Sequence, residues 1–142
     1  MNNNEQEGKS IETNTYKVLN EINKEIIFPT NTNSIIFFWA SWCMPCKVEM
    51  ERLKTSVNNK KINSNQIIAI NPFETNEQTH RFLKKNAYPF IFIDAKNISK
   101  DLGINATPTI ALIKDNKVEQ ISSGISLWGI WKIESFLNEV IK

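Results

Sequence analysis

The chain has 142 residues, 41% hydrophobic and 23% charged, with a formal net charge of +2. That length suits one domain of common size, and the apolar fraction excludes a wholly disordered chain. The small charge gives no concentrated basic stripe for nucleic acid, and no apolar run approaches the ~20 residues that span a bilayer.

In chain order, residues 1–14 are polar, with Asn2, Asn3 and Asn4 in succession, and show no apolar periodicity. They predict a disordered tail before a single domain over 15–142. A secretory leader needs a basic start and an apolar stretch, and this start has neither. It suits a cytosolic protein, or an extracytoplasmic one whose leader has been replaced.

Residues 16–19 and 25–28 are β-prone runs joined by 20–24, which predicts a hairpin. Residues 34–39 (SIIFFW) have the composition of a strand buried on both faces of a sheet. From 45 to 57, Val48, Met50, Leu53 and Val57 recur at near-helical spacing. Residues 66–70 (QIIAI) form a second buried-strand run, and 76–85 read as a helix that must end before Pro89. A short strand over 90–93 and a short helix over 97–102, closed by Gly103, follow. Strands over 109–114 and 117–122 flank the turn pair Asp115-Asn116. The last segment, 126–142, carries Leu127, Ile130, Trp131, Ile133, Phe136, Leu137, Val140 and Ile141, the pattern of an amphipathic helix beginning at a cap at Ser126. This alternation of buried strands and helices predicts an α/β fold, a mixed sheet flanked by helices on both faces.

The chain has two cysteines, Cys43 and Cys46, within Trp42-Cys43-Met44-Pro45-Cys46. A loop so short cannot staple a fold. The pair stands where a buried strand hands over to a helix, where free N–H groups and the macrodipole favour an anion. Such positions lower a thiol from ~8.5 to ~3.5–7.5. Cys43, at the exposed edge of the turn, is therefore expected to be the nucleophile, and Cys46, one turn deeper, the resolving thiol. Pro45 falls in the first helical turn, where a missing N–H costs little. Structural zinc needs four ligands, and beyond these two the chain offers no cysteine and only His80, on a helix read as solvated; no metal is expected.

The run Phe37-Phe38-Trp39-Ala40-Ser41-Trp42-Cys43-Met44-Pro45-Cys46 resembles the active-site stretch of thioredoxin-fold proteins, and Thr107-Pro108-Thr109 resembles their cis-proline loop. The hairpin before SIIFFW, an inserted helix–strand segment over about 77–93, and Glu49 three residues after Cys46 make the chain most similar to the TlpA/ResA-like branch of thiol–disulfide oxidoreductases. The resemblance covers about 16–142. It implies a thioredoxin-like fold with an N-terminal β-hairpin, Cys43 and Cys46 as the redox pair, and no cofactor beyond them. It also implies that the backbone of Thr107, beside Pro108, pairs with an extended substrate.

Thioredoxin's buried acid, six residues before the first cysteine, is replaced here by Phe37. The resemblance assigns proton handling for Cys46 to Glu49, whose pKa partial burial would raise from ~4.3; the alternative is a solvated carboxylate paired with Arg52 or Lys47. Trp39 is expected in the core, and Trp42 to shield the thiolate and offer an apolar contact surface. Met44-Pro45 resembles the reductant types more than strong oxidants, and Trp128 and Trp131 are read as core or edge packing.

The expected activity is reduction of disulfides in protein clients, apocytochrome c among them. A membrane-embedded donor thiol would supply electrons to a monomer outside the cytoplasm, the alternative location being cytoplasmic. An oxidant of client thiols and a non-catalytic client-binding module are the alternatives, and the residues that peroxiredoxins need around a lone cysteine are not here.

Overall fold

In a computed structural model, residues 3–124 and 128–139 are described. They form α1 (Asn3–Gln6), β1 (Asn14–Lys17), β2 (Glu25–Phe28), β3 (Ser34–Phe38), α2 (Met44–Asn58), β4 (Ile67–Ile70), α3 (Asn76–Lys85), β5 (Ile91–Phe92), α4 (Lys96–Asp101), β6 (Thr109–Lys114), β7 (Lys117–Ser123) and α5 (Ile130–Leu137). Five strands make a mixed sheet in the order β5-β4-β3-β6-β7. β3 runs parallel to β4 and antiparallel to β6. β1 and β2 pair separately as the expected hairpin.

All five residues of β3 are buried, as its unbroken apolar run requires of a central strand. The pleat sends Ile35, Phe37 and Trp39 into one core with Met50 and Leu53 of α2 and Ile133 and Leu137 of α5. Ile36 and Phe38 enter the other with Tyr16 and Phe28 of the hairpin and Ile98 and Leu102 of α4. Burial stabilises each such side chain by about 1.5–3 kcal/mol. Helices therefore cover both faces, the second with help from the hairpin. The inserted segment adds rings to the first core: Trp39 lies 4.7 Å from Phe82 and edge-on at 5.4 Å to Phe92, contacts each worth about 0.5–1.5 kcal/mol beyond area.

Both sheet edges are covered, which blocks pairing with other chains. At β5, Leu19 N–H donates to Phe92 C=O (2.7 Å) and Asp94 N–H to Lys17 C=O (3.0 Å). At β7, Gly8 N–H donates to Val118 C=O and Ile11 N–H to Asn116 C=O, both 2.7 Å. This second edge corrects the expectation of a disordered start: residues 8–11 dock through backbone groups, and Ile11 is buried against the sheet. Asp115 and Asn116 both take positive φ, 52° and 61°, as a two-residue hairpin turn of this hand demands.

Three further expectations are corrected. Val48 is not on the core face of α2; the buried stripe is Cys46, Glu49, Met50, Leu53 and Ser56, which leaves Met44 and Val48 together on the exposed side. α5 begins at Ile130 behind Gly129; the cap expected at Ser126 lies outside the described residues, as do Leu127 and 140–142. Trp131 is not packed but 71% exposed, because α5 turns Ile133 and Leu137 inward instead. Trp128 is half-buried against the first core, with Lys132 Nζ 4.9 Å from its ring centre.

Candidate active site

Cys43 is the N-cap of α2. Its backbone is extended (φ −90°, ψ 103°), and its Sγ accepts the Cys46 N–H at 3.2 Å. One of the helix's free donors is thus spent on the sulfur itself. Pro45, in the first turn, removes a donor that would have had no partner. Cys43 and Cys46 are joined in a disulfide, with Cα atoms 5.2 Å apart. Both belong to the first hydrophobic core, and Cys43 is only 3% exposed. That differs from the expected exposed edge: in the bonded state the first sulfur is tucked under its own turn, while Trp42, Met44 and Pro45 around it are exposed. Trp42 stacks on Phe73 with ring centres 6.3 Å apart.

The register places the proline loop. Thr109 pairs with Phe38, so Thr107 and Pro108 sit at the end of β3 from which the cysteine turn departs. The Thr107–Pro108 peptide is cis. Pro108 is buried, and its carbonyl accepts the Gly124 N–H at 2.8 Å. The Thr107 hydroxyl is buried with no hydrogen-bond partner among the described residues.

Glu49 is buried at 4% exposure, one turn beyond Cys46 on the same helix. Its carboxylate accepts from Arg52 Nη2, and Arg52 Nη1 donates to the Trp128 carbonyl at 3.1 Å. Burial and the Arg52 pair, offered by the sequence as alternatives, are both present. Phe37, at the position of the thioredoxin acid, is fully buried in the same core as the cysteines.

A second acid escaped the sequence reading. Glu74, in the loop after β4, is 8% exposed and takes the Ser41 N–H and the Ser41 hydroxyl, both at 2.6 Å, and Asn71 Nδ2 at 2.9 Å. Lys96 Nζ donates to the carbonyls of Asn71 and Glu74. Burial pushes the Glu74 carboxyl up, but the Ser41 and Asn71 hydrogen bonds and the Lys96 charge outweigh it and hold it below its ordinary value of 4.5. This carboxylate ties the turn two residues before Cys43 to the body of the domain. A lone Glu in a polar loop carries no local sign of it, since Ser41 is 33 residues away.

His80 is exposed, on the wall of a hollow of about 480 Å³ between residues 17–23 and α3, away from the cysteines. Among the described residues, no group of three or more His, Cys, Asp or Glu could hold a metal ion, and no helix is long and apolar enough to cross a membrane.

Comparison with known proteins agrees with this geometry. The redoxin family model matches residues 6–128. A thioredoxin-like protein of Haemophilus influenzae is 28% identical over 77% of this chain and 65% of its own length. Thiol–disulfide oxidoreductase ResA of Bacillus subtilis is 27% identical over 61% of this chain and 50% of its own. The matches thus span half to two-thirds of these relatives. The crystal structure of StoA from Bacillus subtilis superposes with a TM-score of 0.73 at 21% identity, covering 90% of this chain and 98% of that one, which shows the thioredoxin-like fold.

Proposed function

The chain belongs to the redoxin family, and from that premise we propose that it is a thiol–disulfide oxidoreductase that reduces disulfides in protein clients. The observation that carries this reading is the Cys43–Cys46 bond at the head of α2, with Cys43 as the helix cap. In the reduced protein the same position stabilises a Cys43 thiolate. That thiolate attacks a client disulfide, one client sulfur leaves as a thiol, and a mixed disulfide forms. Cys46 gives up its proton and attacks Cys43, the mixed bond breaks, and the second client sulfur leaves. Two electrons and two protons pass to the client, and the protein ends in the bonded state described above.

Glu49 is the acceptor for the Cys46 proton: it is buried one turn away, with Arg52 to balance its charge. Trp42, Met44 and Pro45 on one side and Thr107 and Pro108 on the other bound the groove for the client strand. The cysteine pair is the only redox group the chemistry needs. The same proposal includes clients of the apocytochrome c type, an upstream membrane-embedded thiol donor, an extracytoplasmic location and a monomeric state, as the resemblance in the sequence implies.

Substitution of the two cysteines tests it. Cys43→Ser abolishes insulin reduction, and Cys46→Ser accumulates mixed disulfides that dithiothreitol releases. Normal turnover by the Cys43 variant contradicts the assignment of roles. A reduction potential near about −270 mV fits a reductant, whereas about −120 mV would make the protein an oxidant.

A further inference from the structure

Beside the cysteine turn lies an open hollow of about 430 Å³ whose wall carries Lys47, Arg81 and Lys85. Lys47 stands one turn from Cys43, and its N–H donates to the Cys43 carbonyl at 3.3 Å. Arg81 and Lys85 lie four apart on α3, on one helical face. Among the described residues none of the three has a carboxylate within ion-pairing distance. The one acid on the wall is Glu74, and its oxygens are already taken by Ser41 and Asn71. Three cations without a direct ion pair among the described residues thus share the wall with one carboxylate, an excess of positive charge in a chain whose formal net charge is only +2.

The neighbours of this hollow are apolar. Ser41 and Glu74 line it, and the next residue after the first and the one before the second are Trp42 and Phe73, the exposed stacked pair. An occupant must therefore bring negative charge and an apolar side chain at the same time, and must do so next to a reactive disulfide. A cysteine-bearing protein segment satisfies all three requirements; a polyanion without apolar groups satisfies only the first.

We propose that this hollow is a selectivity site for clients or redox partners with acidic residues flanking their cysteine. Their carboxylates engage Lys47, Arg81 and Lys85 while an apolar neighbour rests on Trp42 and Phe73. This rests on the oxidoreductase reading and names the class of partner for it. Exposed charges act mainly through association rate and are screened by salt.

The test uses the full chain, reduced beforehand, and three disulfide-looped peptides identical except for flanks of Glu, Gln or Lys. Each reaction breaks the peptide S–S bond, forms the Cys43–Cys46 bond, and passes two electrons and two protons to the peptide. The Glu-flanked peptide should be reduced roughly tenfold faster than the Lys-flanked one at low ionic strength. That preference should shrink with added salt and vanish in Lys47→Gln/Arg81→Gln/Lys85→Gln, with each single variant intermediate. No preference in the natural chain, or an undiminished one in the triple variant, overturns the proposal. If the natural chain reduces none of the three peptides, the oxidoreductase reading fails, and the proposal falls with it.

Discussion

Glu49 on α2 and Glu74 in the loop after β4 are both buried beside the cysteine turn, yet they are compensated by different means. Glu49 faces a cation, Arg52, whose side chain still reaches solvent. Glu74 is held by neutral donors, two from Ser41 and one from Asn71, with Lys96 clamping the loop carbonyls behind it. A carboxylate whose lone pairs are filled by fixed donors is committed to holding structure. Glu49 instead has one oxygen on a cation that is itself held by the Trp128 carbonyl, and the proposed mechanism uses it to take the Cys46 proton. If Glu49 is the chemical acid that the proposed function makes it, it differs from Glu74 in what points at it, since their burial is alike.

The widest separation is expected in stability. Glu74→Ala leaves the Ser41 and Asn71 donors without their acceptor in a buried setting. It should cost about 3 kcal/mol, a fall in Tm of about 6–12 °C for a chain of this size, whereas Glu49→Ala should cost about 1 kcal/mol. Thermal unfolding of the two variants measures both, and equal losses would erase the distinction. The pH dependence sharpens it. A carboxyl held below its unfolded value contributes stability above the ordinary 4.5 and loses it as pH falls toward the lowered folded value. The gap between the natural chain and Glu74→Gln should therefore be full at pH 7 and close on acidification below pH 4.5.

Rates should show the reverse order. Glu49→Gln, which keeps shape but cannot take a proton, should slow resolution of the mixed disulfide by roughly 100-fold at neutral pH. Quenched-flow measurement of that step, with a shifted pH profile, separates proton transfer from misfolding. An unchanged rate would return Glu49 to the purely structural class.

What the sequence made legible follows the same division. The cysteine pair could be read because its chemistry is local: an apolar strand, two thiols one turn apart and a proline in the first helical turn are contiguous in the chain. The alternation of buried strands and helices likewise exposed the sheet and its covering layers. Glu74 could not be read, because its meaning depends on Ser41 across the end of the sheet, and side-chain periodicity does not encode such a pairing. Residues 8–11 dock by backbone hydrogen bonds, which leave no pattern in composition beyond the single buried Ile11. Val48 misled for a different reason. It is apolar and fits a loose helical count, but Cys46 and Glu49 occupy the inward positions that apolar counting overlooks. Trp131 shows that an aromatic residue on an amphipathic helix need not face inward when Ile133 and Leu137 already fill the core.

The central claim is that the head of α2 makes Cys43, and not Cys46, the reactive sulfur. Its most direct test is alkylation of the freshly reduced protein with iodoacetamide at pH 7, with the modified residue mapped by mass spectrometry over time. Cys43 should react first and faster than free glutathione, with Cys46 protected behind it. Modification of Cys46 first, or a Cys43 no faster than glutathione, would contradict the account.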